Sequence, residues 1–298
     1  MGGRVAAWLA AQGAVVRAVV RQPGEHPGLV SPAITQVEGD FVEPDVAARA
    51  CEGMALVVHA AGTVGQDFAQ ARRVNITGTA VIAAAARAAG CRRLIHVSTI
   101  GVYAPANNLM DVDESCPLVS MPATGGDLPP MVRYGMTKAG AELVLRAEMA
   151  RGLAAVILRP GAILGVHPTS TWGVLMPRNV RAGKIPLRGD GSDLLPWTQI
   201  DNVVEAVRLA LTHGGAPGRA YNVVDGFVTW AAYISQIRAW FPDALPARVI
   251  LPEQLQPDDL WYGNYVNDRI RTELGYQPLR TYADGMAEVA AYWKQAVG

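Results

Sequence analysis

The sequence predicts an α/β protein built on a doubly wound parallel sheet, followed by a smaller and more irregular region. Three observations carry that prediction. Runs that are apolar almost throughout, such as ALVVHAAG (55–62) and AAVILRPG (154–161), suit strands buried on both faces. Helical segments separate these runs, as parallel strands require. The strand ends carry small or polar residues, namely Arg21, Asp40, Ala60-Ala61-Gly62, Ser98-Thr99 and Arg159-Pro160-Gly161. In sheets of this class those ends are where ligands bind.

The elements follow in order. RVAAWLAAQ (4–12) sets Val5, Ala6, Leu9 and Ala10 on one helical face and closes at Gly13. AVVRAVVR (14–21) is a strand stopped by Gln22-Pro23-Gly24, and ITQVEGD is a short strand ending at Asp40. PDVAARACEG opens a helix on proline and ends it at Gly53. After the strand at 55–62 comes a long Ala-rich helix, 66–90, capped by Gly90. RRLIHVST (92–99) is the next strand, 131–151 the next helix, and 154–161 the strand after it. Beyond about residue 165, prolines from Pro168 to Pro278 punctuate short elements, and a helix at 201–213 and a strand at 219–224 return to the sheet. The predicted division is therefore a nucleotide-binding domain, 1–165, and a substrate-binding region, 166–298, interleaved with late sheet elements.

Composition narrows the function classes. The chain has 298 residues, half of them hydrophobic and 17% charged, which suits a well-buried core. Lys plus Arg and Asp plus Glu both number 26, so no basic field exists to hold nucleic acid. Cys51, Cys91 and Cys116 lie far apart without metal-ligand spacing and read as free thiols in a reducing compartment. No apolar run approaches the ~18 residues needed to span a bilayer, and no charged leader precedes an apolar core. The expectation is a soluble cytoplasmic protein that handles a small molecule, with no metal and no membrane partner.

Tyr134-Gly-Met-Thr-Lys138 carries the chemistry. Residues four apart share a helix face, so the phenol and the ammonium can address one bound molecule. A cation beside the phenol pulls it below its free pKa of about 10, which makes tyrosine usable as an acid or base. Thr99, delivered from a strand end, can hold a carbonyl or alcohol oxygen against that phenol.

With VEGDF, VVHAAG, VNITGT, HVSTIGVY, YGMTK, LRPGAILG, GDG, Asp201-Asn202 and YNVVDG in this order, the chain resembles the extended short-chain dehydrogenase/reductase family, also called the NAD-dependent epimerase/dehydratase family. The similarity covers nearly the whole chain. It implies a Rossmann-like fold, a dimer, and Tyr134 as catalytic acid/base. It implies that Lys138 lowers the pKa of Tyr134 and binds the nicotinamide ribose, and that Thr99 is the substrate-oxygen hydroxyl. Ser98 would pack or cap instead. Asp40 and Phe41 match the adenine-contacting pair, Ala60, Ala61 and Gly62 the turn under the phosphates and ribose, and Pro160-Gly161 the cofactor-side strand end. Asn75 matches the family's helix asparagine, equally consistent with a structural bond or with a contact near the site. Arg21 stands where an acid would mark NAD preference, and guanidinium suits a 2′-phosphate. NADP(H) is therefore predicted in preference to NAD(H), although an arginine stacked on adenine would serve either.

His59 and His96 sit in buried strands and are predicted to be hydrogen-bonded core imidazoles, while His167 lies in the substrate-side loop and stays open. Trp172, Trp197, Trp261 and Tyr262 suit either a substrate site or core packing. The family begins with a strand and a T-G-x-x-G-x-x-G turn, whereas this chain starts Met1-Gly2-Gly3-Arg4, so that Gly2 matches the third glycine. The expectation is an incomplete dinucleotide site in the sequence as written, with two neighbouring strands lacking a ladder partner between them and about a dozen residues upstream. GDGSDLLPWTQID, without the arginine of many nucleotide-sugar members, resembles the hydroxysteroid- and flavonoid-reductase branch. The predicted activity is hydride transfer between nicotinamide and a secondary alcohol or ketone. A nucleotide-sugar epimerase or dehydratase is the first alternative, and a non-catalytic NAD(P)-binding regulatory protein the second.

Overall fold

A computed structural model describes residues 1–24, 26–104, 111–120, 128–254 and 263–297. Helix α1 (Gly2–Ala11) turns its Val5 and Ala6 inward, and Gly13, at φ 81°, releases the chain into β1 (Val16–Val20). β2 (Ile34–Glu38) pairs with β1 in parallel, Val16 opposite Ile34. α2 (Pro44–Cys51) leads to β3 (Leu56–His59). The segment predicted as one helix over 66–90 is broken into α3 (Phe68–Arg72), a π-turn (Arg73–Thr77) and α4 (Gly78–Ala88). π-turns cluster at functional sites, and this one carries Asn75.

β4 (Arg93–Val97), the short β5 (Asp111–Val112), α5 (Pro130–Ala150) and β6 (Ala155–Pro160) follow. β7 (Ala162–Leu164), a second π-turn (Thr171–Leu175), α6 (Met176–Arg181), β8 (Leu187–Arg188) and β9 (Leu194–Gln199) enter the substrate side. α7 (Ile200–Thr212) and β10 (Ala220–Val223) return to the main sheet, whose order is β10-β6-β4-β3, all parallel. β11 (Gly226–Thr229) completes a sheet of order β11-β9-β7, followed by α8 (Trp230–Arg238). β12 (Val249–Ile250) pairs with β8 and β13 (Asn264–Tyr265) with β5. α9 (Asp268–Leu274) and α10 (Tyr282–Val297) close the chain.

Alternation along the buried strands divides the core in two. Ile95, Val156 and Leu158 face Val5, Val204, Val207 and Ile270, on the side of α1, α7 and α9. Leu94, Ala155 and Ile157 face Ala47, Ile82, Ala86 and Leu145, on the side of α2, α4 and α5. A third core packs Trp197, Trp230, Tyr233 and Phe241 on the substrate side. Trp197 is therefore a core residue, whereas Trp261 and Tyr262 lie outside the described residues. Among the described residues no helix is long and apolar enough to cross a membrane.

The predicted single parallel sheet is observed as two. Among the described residues, β1 bonds only β2 and β3 bonds only β4, so the facing edges of β1 and β3 carry no ladder. Two neighbouring strands without ladder partners are what the resemblance led one to expect of this sequence, in which the family's first strand has no counterpart.

Candidate active site

A cleft of about 1960 Å³ runs from between β1 and β3, across the strand ends, to the substrate side. Gly135, which follows Tyr134 on α5, and Gly101, which follows the end of β4, are in backbone contact. A Cβ at Gly135 would lie 2.1 Å from the Gly101 carbonyl oxygen. That approach brings Thr99 and Tyr134 to one wall of the cleft, which both line. Thr99 Oγ1 accepts from the Gly101 amide at 3.2 Å, which leaves the hydroxyl proton for a ligand oxygen.

The expected lowering of the Tyr134 pKa is not what the structure gives. The ring is partly exposed, but its hydroxyl lies deep, and burial pushes its pKa up to about 12. Lys138 bonds other groups: Nζ donates to the Val97 carbonyl at 2.7 Å and lies 3.2 Å from His96 Nε2. Burial pulls the Lys138 ammonium down to about 7, against the opposing charge of Glu142. At neutral pH the phenol therefore holds its proton.

Ser98 packs, as expected. Its hydroxyl donates to Glu142 Oε1 at 2.7 Å. The Arg159 guanidinium grips the same carboxylate at 2.9 and 2.6 Å and donates to the Tyr103 hydroxyl at 2.8 Å. Tyr103 in turn donates to Asn222 Oδ1 at 2.6 Å. Arg159 and Glu142 are 1% and 0% exposed. Sequence reasoning passed over this pair as functional support; the available signal was a charged residue at the end of the otherwise apolar strand AAVILR.

On the dinucleotide side the cleft is lined by Gly2, Arg21, Asp40, Phe41, Ala60, Ala61, Gly62, Pro160 and Gly161. The first turn of α1 has no side-chain cap, and while the Arg4 amide donates to the Met1 carbonyl at 2.9 Å, the Gly2 and Gly3 amides have no such bond among the described residues. Gly2 sits where a Cβ would be 3.8 Å from the Ala60 side chain, and a Cβ at Gly62 would be 3.9 Å from Lys138 Nζ. Arg21 is exposed and makes no hydrogen bond or ion pair among the described residues. Asp40 accepts from Arg73 at 2.8 Å, and Arg73 also reaches Glu43 at 3.0 Å. Arg73 lines the cleft too, and nothing in the sequence reading had marked it.

Asn75 is a correction to the expected cofactor contacts. Its amide donates to the Thr63 carbonyl at 2.8 Å and to Thr137 Oγ1 at 2.9 Å, and its oxygen accepts from the Thr63 amide at 2.9 Å. With these bonds made and 1% exposure, Asn75 fastens the turn after β3 to α5 and does not face the cleft. His59 is a satisfied core imidazole: Thr79 donates its proton to the Asn75 carbonyl and so accepts from His59 Nε2 at 3.1 Å. Burial drops the His59 pKa to about 3, which keeps the ring neutral.

Beyond Thr99 and Tyr134 the wall is mostly apolar, formed by Ile100, Val119, Met131, Val132, Ile163, Val166, Trp172 and Leu175, with Thr169, Ser170 and Thr171 also on it. His167 is the only histidine or charged side chain on that stretch among the described residues. It is held by Thr169 at 2.9 Å, and burial lowers its pKa.

Relatives bear on this geometry. A ketoreductase of Stigmatella aurantiaca, acting on a 4-hydroxy-2-methyl-3-oxo-4-farnesyl-dihydroquinoline oxide, is 29% identical over 228 residues. That match covers 76% of this chain and 65% of the ketoreductase. A 3-beta-hydroxysteroid dehydrogenase of Mycolicibacterium neoaurum is 26% identical, across 98% of this chain and 88% of that one. Among solved structures, MoeE5 with UDP-glucose and NAD superposes with a TM-score of 0.79 at 21% identity, over 100% of this chain and 96% of the other. The family model described as NAD dependent epimerase/dehydratase matches residues 1–224. The chain belongs to the NAD-dependent epimerase/dehydratase family.

Proposed function

We propose that the protein is an oxidoreductase that exchanges hydride between a nicotinamide dinucleotide and a secondary alcohol or ketone of apolar character. The observation that carries this reading is the pairing of the Thr99 and Tyr134 hydroxyls with a mostly apolar wall on which, among the described residues, no Lys or Arg stands. A nucleotide sugar brings a diphosphate, which calls for charge-assisted donors. The charged side chains lining the cleft, Arg17, Arg21, Asp40 and Arg73, all belong to the β1–β2 end. The ketoreductase and hydroxysteroid dehydrogenase relatives point the same way, whereas the UDP-sugar ligand of the structural neighbour supports the epimerase or dehydratase alternative.

The residues present suit a dinucleotide. Arg21, Asp40 and Phe41 would hold the adenosine end, the α1 N-terminus and the Ala60–Gly62 turn the phosphates, and Lys138 the nicotinamide ribose. When bound, the dinucleotide supplies or accepts the hydride. Thr99 donates to the substrate oxygen and fixes its position. Tyr134 starts with its proton in place and delivers it to that oxygen as the carbonyl is reduced; in the reverse direction it takes the proton back. An ammonium at Lys138 stabilises the phenolate left after delivery. The apolar wall excludes water, which strengthens these contacts.

The test is to follow loss of reduced-dinucleotide absorbance with polycyclic aromatic and steroid-like ketones, and in parallel with UDP- and dTDP-sugars. Turnover of the apolar ketones is the expected result. Conversion of the nucleotide sugars alone would establish the epimerase or dehydratase reading, and dinucleotide binding without turnover of either would indicate a binding protein.

Cofactor choice follows from Arg21, which stands unpaired at the end of β1. NADPH is expected to bind more tightly than NADH, by about tenfold or more if a charge-assisted contact of roughly 1.5–3 kcal/mol forms. Arg21→Ala should bring the two within a few-fold. Equal affinities in the unmutated protein, read by fluorescence titration, would decide against the 2′-phosphate contact.

A further inference from the structure

The chain contains three lysines, Lys138, Lys184 and Lys294, beside many arginines. Lysine shifts its pKa readily when buried and arginine does not, so the one lysine sealed in the core is the one equipped to titrate. Lys138 is 1% exposed and His96 is fully buried. The groups around Lys138 are His96 of β4, His59 of β3, and Tyr134 and Glu142 of its own helix. Glu142 is engaged by Arg159 of β6 at 2.6 Å.

An ammonium has three N–H donors. One goes to the Val97 carbonyl at 2.7 Å and one meets His96 Nε2 at 3.2 Å. An acceptor at Nε2 requires a neutral ring with its proton on Nδ1, and Nδ1 has no hydrogen-bond partner in the structure. A buried N–H without a partner costs about 1–3 kcal/mol, so packing alone does not favour histidine here. Burial, together with the charge on Lys138, lowers the His96 pKa and keeps its ring neutral. The ring of His59 lies 5.2 Å away, itself occupied by Thr79.

We propose that His96 is a positioning residue for Lys138: its Nε2 lone pair holds Nζ beneath the Gly62 turn and leaves one N–H for the ribose of the bound dinucleotide. If Lys138 loses a proton, the neutral amine can accept from the Nε2–H tautomer of His96. The contact therefore survives in both protonation states, and Nζ stays in place as it titrates. The catalytic consequence rests on the oxidoreductase reading above, because the Lys138 charge matters to Tyr134 only if Tyr134 transfers a proton. The positioning itself does not depend on it.

The test uses the whole protein with its lysine side chains labelled with ¹³C, free of substrate, and follows the Cε resonance of Lys138 against pH. Lys184 and Lys294 serve as internal references. Loss of the acceptor destabilises the ammonium, so His96→Phe should lower the Lys138 midpoint by about one unit. His96→Gln, whose amide oxygen can reach the same place, should restore it; His96→Leu replaces His96→Phe if the latter does not fold. With a substrate in hand, the alkaline limb of the kcat/KM profile should shift to lower pH in the apolar variant and return in His96→Gln, with kcat affected more than KM. A folded apolar variant whose Lys138 midpoint stays within about 0.3 units of the unmutated protein would overturn the proposal. Failure of the oxidoreductase reading would show separately, as absent turnover with the titration shift intact.

Discussion

Tyr134→Phe is expected to lower turnover by about 10²–10⁴-fold, the usual worth of a general acid/base step, while leaving dinucleotide affinity unchanged. Only one hydroxyl is removed. The aromatic ring stays in the cleft wall, and the Gly101–Gly135 contact that sets the wall is backbone. Burial holds the Tyr134 proton in place, with the pKa pushed up to about 12, so on the proposed mechanism the unmutated protein begins reduction with its acid loaded and the variant has no proton to give. Thr99 would still bind the substrate oxygen, so KM should move less than kcat. Steady-state kinetics with a parallel dinucleotide titration checks both halves, and activity within a few-fold of wild type would remove Tyr134 from the mechanism.

The second large effect is on stability. Arg159→Met should cost about 3–5 kcal/mol, because it leaves Glu142 as a buried carboxylate without its counterion. The Ser98 hydroxyl, Arg146 at 3.9 Å and the more distant charge of Lys138 remain near that carboxylate, and none of them replaces the bidentate guanidinium. The double variant, Arg159→Met with Glu142→Leu, replaces both charges by apolar groups and should recover much of the loss. Urea unfolding of the two single variants and the double variant reads the coupling directly. Simple additivity would mean that Arg159 and Glu142 act independently, contrary to their bidentate geometry. Ser98 is bonded to Glu142 and adjoins Thr99, so the single variants should also lose activity when still folded.

Legibility in the sequence followed length scale. The helix starts, the glycine stops and the apolar strands at 55–62, 92–99 and 154–161 are local signals, and the structure places elements within a few residues of each. The clustering of Thr99, Tyr134, Arg21, Asp40, Phe41 and the Ala60–Gly62 turn along one cleft was visible because topology sends the strand ends to one edge. What was not visible depends on contacts across the fold. The fate of the Asn75 amide was set by Thr63 and Thr137, 12 and 62 residues away. The partner of Arg73 was Asp40, on another element. The protonation of Tyr134 was decided by how deeply its hydroxyl is buried, which a sequence spacing of four cannot report.

Among the described residues no ladder joins β1 to β3, so the β1–β2 pair of this chain is expected to open more easily than the main sheet. Every residue of β1 retains some solvent exposure, while all six of β6 are buried. The β1–β2 pair is held to the rest chiefly by packing of α1 and α2, not by strand hydrogen bonds. Amide protons of Val16–Val20 are therefore expected to exchange through local opening, at a lower free energy than those of Ala155–Ile157, which should exchange only on global unfolding. If the dinucleotide is held as proposed, by Arg21 at the β1–β2 pair and by Lys138 at the main sheet, its affinity would be drawn down by the fraction of time the β1–β2 pair stands open.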